Sequence, residues 1–304
     1  MLDDTPDRIQ AQLRSDHQCS VLSLGRYARI EDHAGRKEER GEGFELRTDG
    51  HGVLRAAQGM LITTEARPNA ANHALDMGET TARLARAQDQ HDMLAEAARL
   101  HRAQEAGTDQ DEVQQALARQ NTAIAGTGDR FPELEAPHLV LASPAGIAAS
   151  TTGPLHLHAK THAAFTSSGH LGFSSARRWL ASAAEGIRAF TQRHGIRFIA
   201  AKGPIDIEAH ADELVLLAHK DVRIRSIDGE LHISARKKVV IIGGGSYTEW
   251  SAQGIVHGTA GTWQEHAALH AQVGPMQRPL ERQTFPRATW RRSPDRDAAY
   301  PVSL

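Results

Sequence analysis

The sequence contains little of what stabilises most secreted scaffolds and lines most enzyme sites. Among its 304 residues, Cys19 is the one cysteine, so no intramolecular disulfide framework can form. Aromatic residues make up 5 % of the chain, which is low for a compact enzyme. The 35 basic and 37 acidic residues nearly balance, so the overall charge predicts no nucleic-acid partner.

The sequence also lacks the signals that would take it into or across a membrane. No apolar run approaches the ~20 residues of a membrane span. The opening residues Met1–Asp4 do not resemble a signal peptide. We therefore expect the chain to be made and kept in the cytoplasm, and to leave the cell only if a dedicated machine carries it.

What the second half does contain is a repeat. An apolar-x-apolar dyad returns every eight or nine residues, with a break after residue 173. Alternation inside a dyad predicts a short strand with one inward face, and the constant step predicts stacked repeats. The dyads before the break are Leu139/Leu141, Ile147/Ala149, Leu155/Leu157, Ala163/Phe165 and Leu171/Phe173. Those after it are Ile196/Phe198, Ile205/Ile207, Leu214/Leu216, Val222/Ile224, Leu231/Ile233 and Val239/Ile241.

The length of the repeat predicts how the strands are assembled. A single-chain β-helix normally needs two or three strands per coil, with corner loops of irregular length. Here the repeats are short and nearly uniform, so three chains that each supply one side of a triangular prism are the simplest solution. We therefore predict a mainly β fold, a repeat-built β-prism or β-helix in an intertwined homotrimer. A monomeric β-helix is the alternative.

Four regions follow from the local patterns. Residues 1–66 form a β-rich collar, and residues 67–130 form a helical hairpin. Residues 131–276 form the repeat prism, with a short helix inserted at 176–195, and residues 277–304 form a flexible basic tail. The collar strands are predicted at Arg8–Leu13, Ser20–Leu24, Phe44–Arg47, Val53–Ala56 and Met60–Thr64.

The helices are predicted from apolar spacing and capping residues. A seven-residue stripe from Leu84 to His101 marks the first helix, and Thr108 with Asp111 can cap a second one. The inserted helix rests on the helical spacing of Trp179, Ala183, Ile187 and Phe190.

Three groups of residues suggest sites, and each has a simpler interpretation. His156 and His158 could bind a metal ion on a trimer axis, but alternation places them on the solvent side. Asp206, Glu208 and His210 could mimic a catalytic group, but they lie on an outward strand face. Glycines 243–245 lack the context of a phosphate loop and suit a turn. We predict no catalytic, cofactor-binding or metal-binding residue, and no cofactor.

Several segments, in one order along the chain, resemble the C-terminal half of VgrG, the spike family of bacterial type VI secretion. The resemblance covers roughly residues 2–276. The segments that carry it are Asp4–Leu13, Arg40–Asp49, Gly59–Pro68, Phe131–Leu134, Ala136–Ile147 and Ile242–Tyr247.

The resemblance implies a non-enzymatic, trimeric needle like those of tailed phages, driven through a target envelope by a contractile sheath and secreted in the process. It implies a tip protein on the needle and effectors or adaptors carried with it, for which the tail 277–304 is a candidate contact. It does not include the family's large N-terminal hub, so it carries no expectation about a tube component. Two other functions stay open: a monomeric β-helix enzyme acting on polysaccharide or cell wall, and an effector-adaptor module.

Overall fold

The structure is a computed structural model that describes residues 1–30, 35–70, 72–105, 110–128, 131–280 and Phe285. Within these ranges it contains nine β-strands and two α-helices, so the fold is mainly β with few helices. The chain divides into two parts, Met1–Arg197 and Phe198–Leu304.

The first part begins with a four-stranded antiparallel sheet in which each strand pairs with the next. Its strands are β1 (Leu2–Asp3), β2 (Gln10–Ser15), β3 (Ser20–Ala28) and β4 (Glu39–Arg47). Two of these strands are longer than predicted: β3 continues past Leu24 to Ala28, and β4 begins at Glu39 and not at Phe44. The prediction of a strand at Val53–Ala56 is wrong, since these residues have no partner strand and are exposed.

One face of this sheet is apolar and open to solvent. In the register of the strands, Leu22 lies between Leu13 and Leu46, and the next pair on the same face is Leu24 with Phe44. All five side chains are exposed. Gln10 and Ser23, which alternate with these residues, are buried. The single chain therefore buries polar residues of this sheet and leaves its apolar face uncovered.

A helical hairpin follows the sheet. Helix α1 (Gly78–Leu100) and helix α2 (Gln110–Ala125) run antiparallel, because Gln114 donates a hydrogen bond to Asp92 (2.9 Å) and Asn121 donates one to Gln88 (3.0 Å). The predicted capping residue Thr108 lies outside the described residues.

A short parallel pair of strands joins the hairpin to the start of the repeats. Strand β5 (Met60–Thr63) pairs with β6 (Leu139–Ala142), which is the first dyad. Together the hairpin and this pair build the apolar core of the first part. The core residues are Met77, Ile124, Leu134 and Val140, with Leu61, Leu75 and Leu84 packed against them.

From residue 143 to residue 237 the chain is extended but forms neither a helix nor a paired strand. The prediction of a helix at 176–195 is wrong, because this segment has the same extended conformation, with bends at 176–177, 184–185 and 192–194. Trp179 and Ile187 start two further eight-residue repeats, so the dyads continue through the segment that sequence spacing had marked as a break.

The second part ends its repeats in a three-stranded antiparallel sheet of β7 (Lys238–Gly243), β8 (Ser246–Ser251) and β9 (Gly254–Gly258). The predicted last dyad, Val239/Ile241, lies in β7 and therefore pairs within the chain. A two-residue turn with positive φ at Gly244 (56°) and Gly245 (85°) joins β7 to β8. Glycine is favoured here because both turn positions need φ above zero.

Candidate functional site: the unpaired repeat segment

The most unusual feature of the molecule is a long segment of regular, unpaired repeats. Bends divide residues 143–237 at a constant step. They lie at 144–145, 152–153, 160–161, 168–169, 176–177, 184–185, 192–194, 201–203, 210–212, 219–220, 227–229 and 236–237. Each extended stretch between two bends holds one dyad, so the structure has the eight- to nine-residue period of the sequence.

The dyads are exposed in the single chain. The large apolar dyad residues between Ile147 and Ile233 are 51–77 % exposed. Among the described residues of 143–237, no backbone hydrogen bond joins one repeat to another. Apolar side chains exposed to water, and backbone groups without hydrogen-bond partners in the chain, contribute no free energy to folding. The exposed dyads are therefore the feature that a proposed function has to explain.

Helix α1 contacts two places along the repeats of the first part. Gln90 donates a hydrogen bond to the carbonyl oxygen of Ser167 (2.7 Å) and accepts one from the hydroxyl group of Ser168 (2.8 Å). Further along the helix, the ring of His101 stacks on Phe190 with centroids 5.5 Å apart.

An ion pair beyond the helix end reinforces the second contact. Arg188 lies 3.4 Å from the carboxylate of Glu105. Because Arg188 and Phe190 both reach the hairpin, they lie on one side of the extended chain, and the dyad residues Ile187 and Ala189 lie on the other. Alternation thus places the dyad residues and the residues that contact the hairpin on opposite sides of the chain.

The two contacts are separated by three repeats. From Ser167 to Phe190 the chain advances by 23 residues, close to three steps of eight. A second pair of residues has the same relation. His138 and His162 lie 24 residues apart and line the same cavity beside the hairpin, of about 520 Å³, together with Leu84 and Asn121. The hairpin therefore meets the repeats once in every three steps.

The histidine pair of the sequence prediction is present but forms no metal cluster. The rings of His156 and His158 lie 6.2 Å apart and both residues are exposed. Within the described ranges, no group of three or more histidine, cysteine, aspartate or glutamate residues could hold a metal ion. That no residue binds a metal remains a prediction.

The acidic group of the sequence prediction is a surface ion pair with an aromatic neighbour. His210 lies 2.8 Å from the carboxylate of Glu208, and its ring stacks on Phe285 with centroids 4.6 Å apart. Asp206 is exposed. Apart from Phe285, tail residues 281–304 lie outside the described residues, so the predicted basic tail stays a prediction.

Electrostatic interactions fix the first strand and the segment that leads into α1. Hydrogen bonds from Thr5, followed by those from Arg36, hold the pKa of Asp3 far below its usual range. At the start of α1, the hydrogen bond from Arg67 lowers the pKa of Glu79 and raises that of Arg67 itself. The two arginine–carboxylate pairs tie distant segments of the chain together. Sequence spacing gave no sign of them, because Arg36 and Asp3 are 33 residues apart and Arg67 and Glu79 are 12 residues apart.

Among the residues that the structure describes, no helix has the length and apolar content needed to cross a bilayer.

Two family models match successive parts of the chain. Residues 1–98 match the family described as "Putative type VI secretion system Rhs element Vgr". Residues 126–276 match "Uncharacterized protein conserved in bacteria (DUF2345)".

Two curated proteins of Pseudomonas aeruginosa are similar to the chain. The type VI secretion system spike protein VgrG2a is 31 % identical over 278 residues, which are 90 % of this chain and 32 % of the relative. The spike protein VgrG2b is 30 % identical over 227 residues, which are 73 % of this chain and 22 % of the relative. The chain thus spans a third or less of the length of these relatives.

Two solved structures have a similar fold, each with a TM-score of 0.78. One is the VgrG spike from the type 6 secretion system, at 25 % identity, with 87 % of this chain and 94 % of that chain covered. The other, at 24 % identity, is the VgrG spike with the Tle1 effector bound, with 88 % of this chain and 78 % of that chain covered. With the matching family model, the curated relatives and the shared fold, the chain belongs to the VgrG family of type VI secretion spike proteins.

Proposed function

We propose that this chain is the needle portion of a type VI secretion spike, and that it works as an intertwined homotrimeric β-prism without catalysis. The observation that carries the proposal is the repeat segment, which is regular, extended and exposed over about 95 residues of one chain. Rigidity and the capacity to pierce an envelope are what such a shaft supplies.

The contacts of α1 support three repeats per turn of winding. Along α1, the 11 residues from Gln90 to His101 rise ~16 Å, at 1.5 Å per residue. Three strand layers at ~4.8 Å span ~14 Å. The two contact points on the repeats are three steps apart, so one step descends by about one layer. The chain returns to the same side of the shaft after three steps.

This winding leaves space for two other chains. Successive turns of one copy lie ~14 Å apart, which is too far for hydrogen bonds between them. The gap accepts two further strands, one from each of two other copies. A monomeric β-helix would instead place successive turns ~4.8 Å apart and join them by hydrogen bonds, and the described repeats have none between them.

The parallel pair at the start of the repeats supports the same arrangement. β5 forms the layer next to β6, and both strands run in the same direction. In a trimer with a three-fold axis, the three chains wind in the same direction, so the strands that lie on one side of the prism are also parallel. The other edge of β6 has no partner within the described chain, and the next layer of another copy would fill it.

The open apolar face of the first sheet supports self-association as well. Leu13, Leu22, Leu24, Phe44 and Leu46 form one exposed patch, and charged side chains interrupt neither of the two paired rows. Soluble chains rarely leave such a patch open unless another surface covers it.

The partners and the route follow from the family. We propose that the trimer carries a tip protein at the end of the needle, and an effector or adaptor as the solved spike with bound Tle1 does. In this proposal the chain stays in the cytoplasm until it is assembled and is then expelled by the type VI system. The tail 277–304 remains a candidate contact for cargo.

The test is the mass of the purified chain in solution, measured by light scattering over a dilution series. We expect a constant value of three times 33.1 kDa. A folded monomer at all concentrations would overturn the trimeric needle and would favour a monomeric β-helix.

A further inference from the structure

We propose that the helical hairpin of one copy clamps strands of the other two copies, and that Leu94 and Ala97 of α1 are the residues that touch them. This inference rests on the proposed trimer. It concerns a contact between different copies, and the partner is a defined pair of repeats from the same sequence.

The first step concerns the space between the two points at which α1 contacts its own chain. The helix contacts its own chain at Ser167 and again at Phe190, one full turn later. Two layers lie between these points, and the chain itself does not fill them. Three-fold symmetry assigns both layers. The first holds the repeat that starts at Leu171 from one copy, and the second holds the repeat that starts at Trp179 from the other.

The second step is the side of α1 that faces these layers. Gln90, Leu94, Ala97 and His101 are spaced by four, three and four residues, so they form one stripe along the helix. Both ends of the stripe are anchored to the repeats. Leu94 and Ala97 therefore face the same way, ~6 Å and ~10 Å along the helix from Gln90. The two layers are expected at ~5 Å and ~10 Å.

The third step is the outward residues of these layers. Arg188 and Phe190 define the outward positions of a repeat, since both reach the hairpin. Eight residues earlier, in the repeat that starts at Trp179, these positions are Leu180 and Ser182. Sixteen residues earlier, in the repeat that starts at Leu171, they are Gly172 and Ser174.

The side chains on the two surfaces complement one another in size. The large Leu94 is level with Gly172 and Ser174, which leave room for it. The small Ala97 is level with Leu180, which needs room. In the single chain Leu94 is 45 % exposed and Leu180 is 81 % exposed. The contact between copies would bury both. By contrast Phe190, which already has the hairpin above it, is only half-buried in an otherwise exposed segment.

A second gap beside the hairpin independently supports the inference. The cavity of about 520 Å³ lies between His138 and His162, which are one turn apart, and the hairpin forms its outer wall with Leu84 and Asn121. In the proposed trimer, the repeats that start at Ile147 and Leu155 of the other two copies would fill this gap. The hairpin would therefore cover strands of the other copies at two successive turns.

The experiment uses interchain disulfide formation in the full chain. A Cys19→Ser background leaves no native thiol, and the pair Ala97→Cys with Leu180→Cys is introduced into it. After mild oxidation we expect covalent dimers and trimers on a non-reducing gel in at least ten times the amount found for the control pair. The control is Met93→Cys with Leu180→Cys, because Met93 is exposed on a different side of α1.

A second pair protects the test against misfolding. Leu94→Cys with Ser174→Cys probes the neighbouring layer, and light scattering of the reduced variants reports their assembly. Cross-linked chains from either pair support the clamp. Reduced trimers that cross-link no more than the control overturn the clamp and leave the proposed needle standing. A parent chain that is monomeric overturns both, and a bond formed within single chains also overturns the clamp.

Discussion

Two neighbouring leucines of the same repeat provide the sharpest test of the shaft. Leu216 belongs to the dyad, which the proposed trimer turns inward, whereas Leu217 follows it outside the dyad. In the single chain they are 68 % and 94 % exposed. If a trimer forms, Leu216 is buried on the axis and Leu217 stays in water. The two substitutions to alanine remove the same atoms from the two sides.

The expected cost follows from the exposed fraction. Complete burial of a leucine side chain contributes about 1.5–3 kcal/mol, and the exposed two thirds of Leu216 would supply about 1–2 kcal/mol in each copy. Three copies lose about 3–6 kcal/mol per trimer, and any remaining cavity adds to this. Leu217→Ala should change stability by less than about 0.5 kcal/mol per copy, as exposed substitutions do.

The assay is urea unfolding at several protein concentrations, combined with light scattering on dilution. Leu216→Ala should lower the urea midpoint and raise the concentration at which the trimer dissociates. Leu217→Ala should leave both at the parent values. Equal effects of the two substitutions, or a larger effect of Leu217→Ala, would refute the assignment of inward and outward sides.

Three further predictions concern the collar, the hairpin and the terminal sheet. Gly126→Ala should destabilise the first part by more than about 2 kcal/mol, because the residue has φ of 70° and its new Cβ would overlap a backbone carbonyl. Thermal melting measures the loss, and Gly128→Ala, whose new Cβ would make ordinary contacts, is the control. Gly245→Ala should cost about 1–2 kcal/mol in the β7–β8 turn, where Gly243→Ala, at negative φ, should cost less, and thermal melts compare the two. Because the pKa of Asp3 is lowered in the folded chain, its stabilising effect is complete above its ordinary pKa of about 4 and is lost as the pH falls below that value. Asp3→Asn should therefore lower the urea midpoint more at pH 7 than at pH 3. An equal loss at both pH values would contradict the interpretation.

The repeats could be predicted from the sequence because their signal is local. A dyad needs only two residues at a spacing of two, and bends at regular steps follow from the turn residues between dyads. The parallel pairing of β5 with β6 gave no comparable signal. Met60 and Leu139 are paired although 79 residues separate them, and only the tertiary fold determines that distance.

The wrong helix at 176–195 has a physical cause. An eight-residue step is close to the ~7 residues that two helical turns take up. Trp179, Ala183 and Ile187 therefore fit a helix face and a repeat equally well. The signal that separates them is the register of the neighbours. Leu171, Trp179 and Ile187 continue the same eight-residue steps that precede them, and a helix would have no reason to keep that phase.

For the histidine pair, the sequence could predict a position on the strand but not a role. Alternation placed His156 and His158 outside the dyads, and the structure leaves both exposed. The contacts of the hairpin with the repeats could not be predicted from the sequence. Gln90 contacts Ser167, 77 positions further along the chain, and His101 stacks on Phe190, 89 positions further along, where spacing carries no information.

The proposed winding would determine how a trimeric needle resists force. Between the bends at 144 and 192 each copy would complete two turns around the axis. Strands wound in this way cannot be pulled apart sideways, because each copy would first have to rotate out of the others. Separation is then limited by a slow unthreading step and not by the strength of any one contact.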